Sequence, residues 1–354
     1  MAKEKKKSVW YAIMHTSKIS KKEYVKLIKR ITAFIIAAFV ASFLVFFGIA
    51  WFGGISNVLS VIGHSNLLIY SLAFISVLCG YLLRFVKWNY YIKKLGLKIP
   101  LKKNLIVYLS LYSMNITPGK VGRVLVAYTL NRLTKKKTTN LIPIVTLDIF
   151  TDFLGVGVLA LIAALYFHTY VLYIIGIDIL LMIPFLFVMS DWFYKRIKNF
   201  IKNERVLKMF TLYGDEYFAS QSTLNKPSVY LISLGVSLPA AFFNAMALLF
   251  SLMAIGITPH IAGAALIESS SMVLGMVTAI PGNIGVTDGA LVAFIGSAFH
   301  TDATVSSAIT IMTRLATLWF GLVIGGIMLI YSLRYWNSPG TGRKSERSKK
   351  RLNK

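Results

Sequence analysis

Lysine and arginine are absent from three long stretches of this 354-residue chain, 31–83, 138–194 and 228–313. Within them apolar residues run for the ~20 positions that a helix needs to cross hydrocarbon. The cations gather in between, in 1–30, 87–103, 132–137, 195–226 and the tail after 332. Such segregation is the positive-inside pattern of a multi-pass membrane protein, with the basic segments on the cytoplasmic side, near anionic headgroups. A formal net charge of +26 would otherwise suggest nucleic acid as a partner. With 56% hydrophobic and only 15% charged residues and a mean hydropathy of +0.67, an ordinary soluble domain is excluded and no nucleic-acid partner is expected.

The charge rule fixes a topology. Residues 1–30 form a basic cytoplasmic segment, and MAKEKKKSVW, unlike a cleavable signal peptide, is expected to remain. A first span is expected over 31–55 and a second over 67–86, returning to the lysine-rich 87–103. Residues 104–130 are apolar but lie between two basic loops, so a single crossing would put one of them outside; a re-entrant hairpin resolves the conflict. Spans over 141–166 and 171–190 follow. The linker 191–227 then spaces apolar residues and cations in helical fashion, either along the membrane surface or as a solvated connector. A span over 229–257 and a final one over 304–332 leave 261–299 as a second hairpin, entered from the outside. The expected fold is therefore all-α, a single bundle over 31–333 with about six spans and two broken hairpins, ending in a basic cytoplasmic tail, 334–354.

Both hairpins break at the same pattern, P-G-x-x-G: Pro118, Gly119 and Gly122 in the first, Pro281, Gly282 and Gly285 in the second. Each break has an apolar span before and after it, in opposite predicted topology, so 67–166 and 229–332 read as inverted repeats. Broken helices in inverted repeats are a recurrent device of secondary transporters, where the exposed helix ends form a site near the midplane. Kinks serving only packing would use the same residues.

Few acids are present, and five of them lie in apolar segments: Asp148, Asp152, Asp178, Glu268 and Asp288, joined there by Lys120, Arg123 and Arg314. Charge at such depth faces a polar interior or pairs. Asp148 and Asp152 share a helix face at a spacing of four. Two clusters are expected, Lys120 and Arg123 with Asp148 and Asp152, and Arg314 with Glu268 and Asp288. Cations beside broken-helix ends suit a phosphate. No cofactor or metal is expected, because Cys79 is the only cysteine and no HxxxH, HxxE, CxxC or Walker spacing occurs.

The stretches PGKVGR, LDIFTD, IPGNIGVTDGALVAF and ITIMTRLATLWFGLVIGG together resemble the lysylphosphatidylglycerol synthase transmembrane-region family, flippase-like membrane proteins. The resemblance runs from about 30 to 332 and is most specific over 276–325, where the family shows PGG-x-G-x-x-E followed by an Arg-bearing span. The chain departs at three points. Arg123 stands where the family has Glu, Asp148 and Ile149 replace a Glu-Arg pair ahead of Asp152, and Asp288 replaces the later Glu. The exchange of Arg between 149 and 123 reads as a relocation of charge within one cavity.

The resemblance implies lipid handling. Some members are fused to a soluble aminoacyl-transfer domain and move the lysylated lipid across the bilayer; others resemble partners of glycosyltransferases that use polyprenyl-phosphate sugars. No hydrophilic stretch here is large enough for an enzymatic core. The expected function is a translocase for a phosphate-bearing or polyprenyl-linked lipid in the cell membrane, with both termini cytoplasmic and anionic headgroups as ligands. Lys120, Arg123 and Arg314 would contact phosphate; Asp148, Asp152, Glu268 and Asp288 would balance charge or relay protons. The alternative is an intramembrane lipid-modifying enzyme or its subunit, with the acid pairs as bases and a separate lipid-modifying enzyme as a further partner.

Overall fold

The computed structural model describes residue 40 and residues 43–168, 171–201 and 204–337. The expected basic segment 1–30, the start of the 31–55 span and the tail beyond 337 lie outside the described residues. Among these, every regular element is helical. A helix α1 (Phe43–Phe52) turns by 97° into α2 (Ile55–Gly63).

The first long helix, α3, spans Leu67–Lys94 and starts where the Asn66 side chain accepts the N–H groups of Leu68 and Ile69. Its 28 residues give ~42 Å of helix, two turns beyond the 86 expected from charge. The first hairpin follows as α4 (Leu101–Ser110), short 3-10 turns at Leu111–Met114 and Pro118–Arg123, and α5 (Val124–Thr134). Arms of 10 and 11 residues reach only ~15 Å each, half a bilayer core. Next come α6 (Ile142–Phe167), α7 (Val171–Met189), the linker helices α8 (Asp191–Phe200) and α9 (Glu204–Leu224), and α10 (Pro227–Ala254).

The second hairpin comprises α11 (Ile261–Val277), a turn at Pro281–Asn283 and α12 (Val286–Phe299). The chain closes with α13 (Ala303–Arg314), a π-helical turn over Leu315–Trp319, and α14 (Phe320–Asn337). Among the described residues six helices are long and apolar enough to cross a membrane: Leu67–Lys94, Thr138–Phe167, Val171–Met189, Pro227–Ala254, Pro281–Phe299 and Ala303–Ser332. That set differs from expectation at two places: the span expected over 31–55 is represented among the described residues only by the bent pair Phe43–Phe52 and Ile55–Gly63, and Pro281–Phe299 is added. The segment Pro281–Phe299 is a candidate span by length and composition, although it packs as the second arm of a hairpin against α11.

The two hairpins open at opposite ends of the bundle. At the basic end, Trp88 Nε1 donates to Asn104 Oδ1 and Asn104 Nδ2 to Asn89 Oδ1, each at 3.0 Å, which ties the start of α4 to the end of α3. The exit from α5 is held there too, because Lys137 and Thr139 both donate to Glu216 of α9. At the uncharged end, Asn66 N–H donates to the Ala254 carbonyl at 2.7 Å, and the Tyr166 ring stacks on His260 at 5.4 Å. A recess at that same end is lined by His64, Ile257 and Thr301, so the second hairpin both starts and finishes there.

Their tips meet inside the molecule, the Pro118–Arg123 turn lying against Pro281–Asn283. Ile116, Ile284 and Leu318 form a small buried apolar cluster at the junction. The final helix carries the first hairpin in a notch, since a Cβ on Gly325 would overlap the backbone nitrogen of Ser113. On the far side α7 is mostly lipid-facing, with Leu172 82% exposed.

Candidate functional site

Each tip is a helix break closed by an arginine–aspartate pair. In the first, Thr117 Oγ1 accepts the Gly122 N–H at 2.8 Å and closes the turn on itself. Lys120 sits in the left-handed region at φ 59°, strained for a residue with a side chain. Arg123 then donates from Nε to Asn115 Oδ1 at 2.8 Å and from Nη1 to Asp148 Oδ2 at 3.1 Å. In the second tip, Gly282 and Gly285 take φ 64° and 87°, which glycine adopts freely. Asp288 Oδ2 accepts the Gly285 N–H at 2.6 Å, while its Oδ1 receives Arg314 Nε at 2.7 Å. Arg314 also donates from Nη2 to the Gly282 carbonyl at 2.9 Å.

The polarity of the pair is exchanged between the tips. The first hairpin carries the arginine and the following helix the acid; the second carries the acid and the following helix the arginine.

The first cluster is larger than the sequence suggested, because Arg84 and Lys87 join it. Lys87 is fully buried and donates to Asp152 Oδ1 at 2.8 Å, Thr151 Oγ1 at 2.9 Å and Ser237 Oγ at 3.0 Å. It also lies 3.2 Å from Asp148 Oδ1, an ionic contact without hydrogen-bond geometry. Arg84 Nε donates to Asp152 Oδ1 at 3.2 Å, and Arg123 Nη1 lies 3.6 Å from Asp152 Oδ2. Charge counting had placed Lys87 in a cytoplasmic loop and given Arg84 no role. The signal available was their spacing of three, which puts both on the face that meets Asp148 and Asp152. Such pairs contribute little net stability, yet removing one partner is costly.

Lys120 behaves differently. Its ammonium lies over the Phe153 ring, 4.7 Å from the centroid, and no carboxylate comes within ion-pair distance among the described residues. Glu268 departs from the expected second cluster. It is buried, but Arg314 is taken by Asp288, and Glu268 Oε2 has no hydrogen-bond partner. Asp178, for which no partner was foreseen, packs into the space left by the missing side chain of Gly157.

Between the tips lies a cavity of about 80 Å³, room for two or three waters at ~30 Å³ each. Arg84, Lys120, Arg123 and Arg314 all line it, with Asp152 as the one acid and Asn115, Asn244, Asn283, Tyr81 and Tyr112 as neutral polar neighbours. Four basic side chains therefore face one small polar space inside a membrane bundle. No group of three or more His, Cys, Asp or Glu among the described residues could hold a metal ion.

These features define a multi-pass, all-helical membrane protein whose two broken hairpins meet over a basic cavity. The chain belongs to the family described as Lysylphosphatidylglycerol synthase TM region, which it matches over residues 34–325. It is thus a lipid-related membrane protein. No curated protein matches the sequence.

Proposed function

We propose that the protein is a translocase for a lipid with a phosphate-bearing headgroup, and that Lys120, Arg123 and Arg314 contact the phosphate. The observation that carries this reading is the excess of basic groups around the cavity. Arg84, Lys87 and Arg123 already outnumber Asp148 and Asp152, before Lys120 is counted. Burying such an excess is costly, and an anion entering between the tips would offset that cost with charge-assisted hydrogen bonds. At about 80 Å³ the cavity has room for a phosphate group, and the rest of the lipid would stay outside it.

Hairpins that open at opposite ends give a site two separate routes out, one under each tip. In this reading 67–166 and 229–332 are inverted repeats, the basic end is cytoplasmic, both termini lie on that side, and the membrane is the cell membrane. Asp148, Asp152 and Asp288 position the arginines. Because these carboxylates are all engaged by cations, they are poor general bases, which favours translocation over lipid modification.

The test is transbilayer exchange of fluorescent phospholipid and of a polyprenyl phosphate in proteoliposomes. Wild type should accelerate exchange of one of them, and Lys120→Gln and the double variant Arg123→Ala, Arg314→Ala should not. Equal rates for wild type, both variants and empty vesicles would overturn the reading. Chemical change in the lipid would point to the modifying enzyme.

A further inference from the structure

A guanidinium carries five N–H donors and a lysine ammonium three, and each acceptor in the protein consumes some of that supply. Around the cavity between the tips much of it is unspent among the described residues. Arg84 donates from Nε to Asp152, and neither of its Nη groups makes a hydrogen bond. Arg123 spends Nε on Asn115 and Nη1 on Asp148, which leaves Nη2 free. Arg314 spends Nε on Asp288 and Nη2 on the Gly282 carbonyl, which leaves Nη1 free. Lys120 makes no hydrogen bond and has only the Phe153 ring beneath its ammonium.

All four side chains line the same space. Its wall is kept open beside Arg84 by Gly80, one turn earlier on α3, where a Cβ would stand 3.4 Å from Arg84 Nη1. The acid that shares the lining, Asp152, already takes Lys87 and Arg84 on its Oδ1. The cavity is therefore rich in charged donors and short of acceptors.

The charges give a second, independent measure. Among the groups that line the cavity or lie within ion-pair distance of those that do, Arg84, Lys87, Lys120 and Arg123 stand against Asp148 and Asp152, four cations to two carboxylates. Arg314 and Asp288 cancel as a pair. Glu268 neither lines the cavity nor lies within ion-pair distance of these cations. The excess is two positive charges.

A phosphate monoester carries about 1.5 to 2 negative charges at neutral pH and three strong acceptor oxygens. A phosphodiester carries a single charge, offers two free oxygens, and has a second ester arm to accommodate. We propose that the cavity selects a terminal phosphate monoester, a phosphate joined to one chain only, over a phosphodiester headgroup. The proposal rests on the assignment of the cavity as a phosphate site and narrows the class of ligand. Three free oxygens take the unspent donors of Arg84, Lys120, Arg123 and Arg314, and the second negative charge offsets the second cation of the excess. A single ester arm leaves the cavity, which has room for one phosphate group.

Phosphatidic acid and a polyprenyl monophosphate present this end on a lipid, and inorganic phosphate presents it in water. The experiment measures binding to the purified full-length protein in detergent. In the lipid arm, phosphatidic acid is compared with phosphatidylmethanol of the same acyl chains, which differs by one methyl group on the phosphate. In the soluble arm, inorganic phosphate and dimethyl phosphate compete against bound phosphatidic acid.

Phosphatidic acid should bind at least ~10-fold more tightly than phosphatidylmethanol, as one charge-assisted hydrogen bond contributes. Preference in the lipid arm alone makes a lipid the source of the phosphate; preference in both arms admits the free anion. Lys120→Gln, which breaks no ion pair, should lower the preference at least ~3-fold by reducing the excess from two charges to one, and Arg84→Gln should do the same. Should Arg84→Gln fail to fold, Lys120→Gln decides. Equal binding of ester and diester in both arms, or a preference unchanged in every variant that folds, would overturn the proposal. Lipid exchange by the same preparations separates it from the translocase. Monoester-selective binding without exchange would defeat only the translocase, and exchange without selectivity would defeat only this inference.

Discussion

Arg314 donates to Asp288 from Nε at 2.7 Å, and the same guanidinium reaches the Gly282 carbonyl with Nη2. One side chain therefore holds both the acid at the start of α12 and the backbone of the break ahead of it. Arg314→Ala should destabilise the protein by about 3–5 kcal/mol, because it leaves Asp288 buried and unpaired. The double variant Arg314→Gln, Asp288→Asn should recover much of that loss, and Arg314→Lys should not, since a single ammonium lacks the planar fork. Denaturation in detergent measures all three. A double variant as unstable as Arg314→Ala would show that the pair is not the staple of this tip.

Lys87 and Lys120 should separate stability from binding. Lys87→Met removes contacts to two carboxylates and two hydroxyls and should cost about 3–5 kcal/mol. Lys120→Met removes no ion pair and should alter stability by less than ~1 kcal/mol, while weakening binding of a phosphate lipid at least ~10-fold. Melting in detergent and native mass spectrometry with added lipid report the two effects. Equal lipid retention by wild type and Lys120→Met would remove this lysine from the site.

Gly325 and Gly326 are neighbours with opposite surroundings. A Cβ on Gly325 overlaps the Ser113 backbone, which cannot rotate away, whereas nothing lies within 4 Å of a Cβ on Gly326. Gly325→Ala should cost about 1–3 kcal/mol and loosen the first hairpin; Gly326→Ala should be neutral or slightly stabilising through helix propensity. Cysteine accessibility at Ser113→Cys, in each background, follows the hairpin directly.

In the linker, Tyr194 donates to Asp215 Oδ1 at 2.8 Å, and its ring occupies the space a side chain at Gly214 would need. Burial and the Asp215 carboxylate push the Tyr194 hydroxyl well above the usual tyrosine range. Gly214→Ala should part α8 from α9 and open 191–224 to proteolysis, with the membrane bundle intact. Unchanged cleavage would mean that this contact does not hold the linker together.

Much of this architecture is legible from charge and from helix breakers. The hairpin over 104–130 follows from two basic loops that cannot lie on opposite sides, and the Pro-Gly pairs mark both tips. The site was only half visible. Arg84 falls in the last turn of the span expected over 67–86 and Lys87 just past it, in the stretch that the positive-inside rule assigns to water, and nothing local distinguishes a cation there that turns inward. What distinguishes them is the face of α6 they meet, and that meeting depends on packing. Glu268 failed in the opposite direction. Its nearness to Arg314 was foreseen, but the shorter reach of Asp288, on the same break, takes the guanidinium first.

The charge imbalance of the first cluster has an electrical consequence. At least one positive charge stays uncompensated between the tips, and a charge that crosses the whole membrane field exchanges about 2.3 kcal/mol for every 100 mV. If the tips part alternately, the empty site carries that charge through part of the field, while a site holding a phosphate monoanion carries correspondingly less. Membrane voltage would then act mainly on the return of the empty carrier, and the resting potential would set which leaflet the vacant cavity faces.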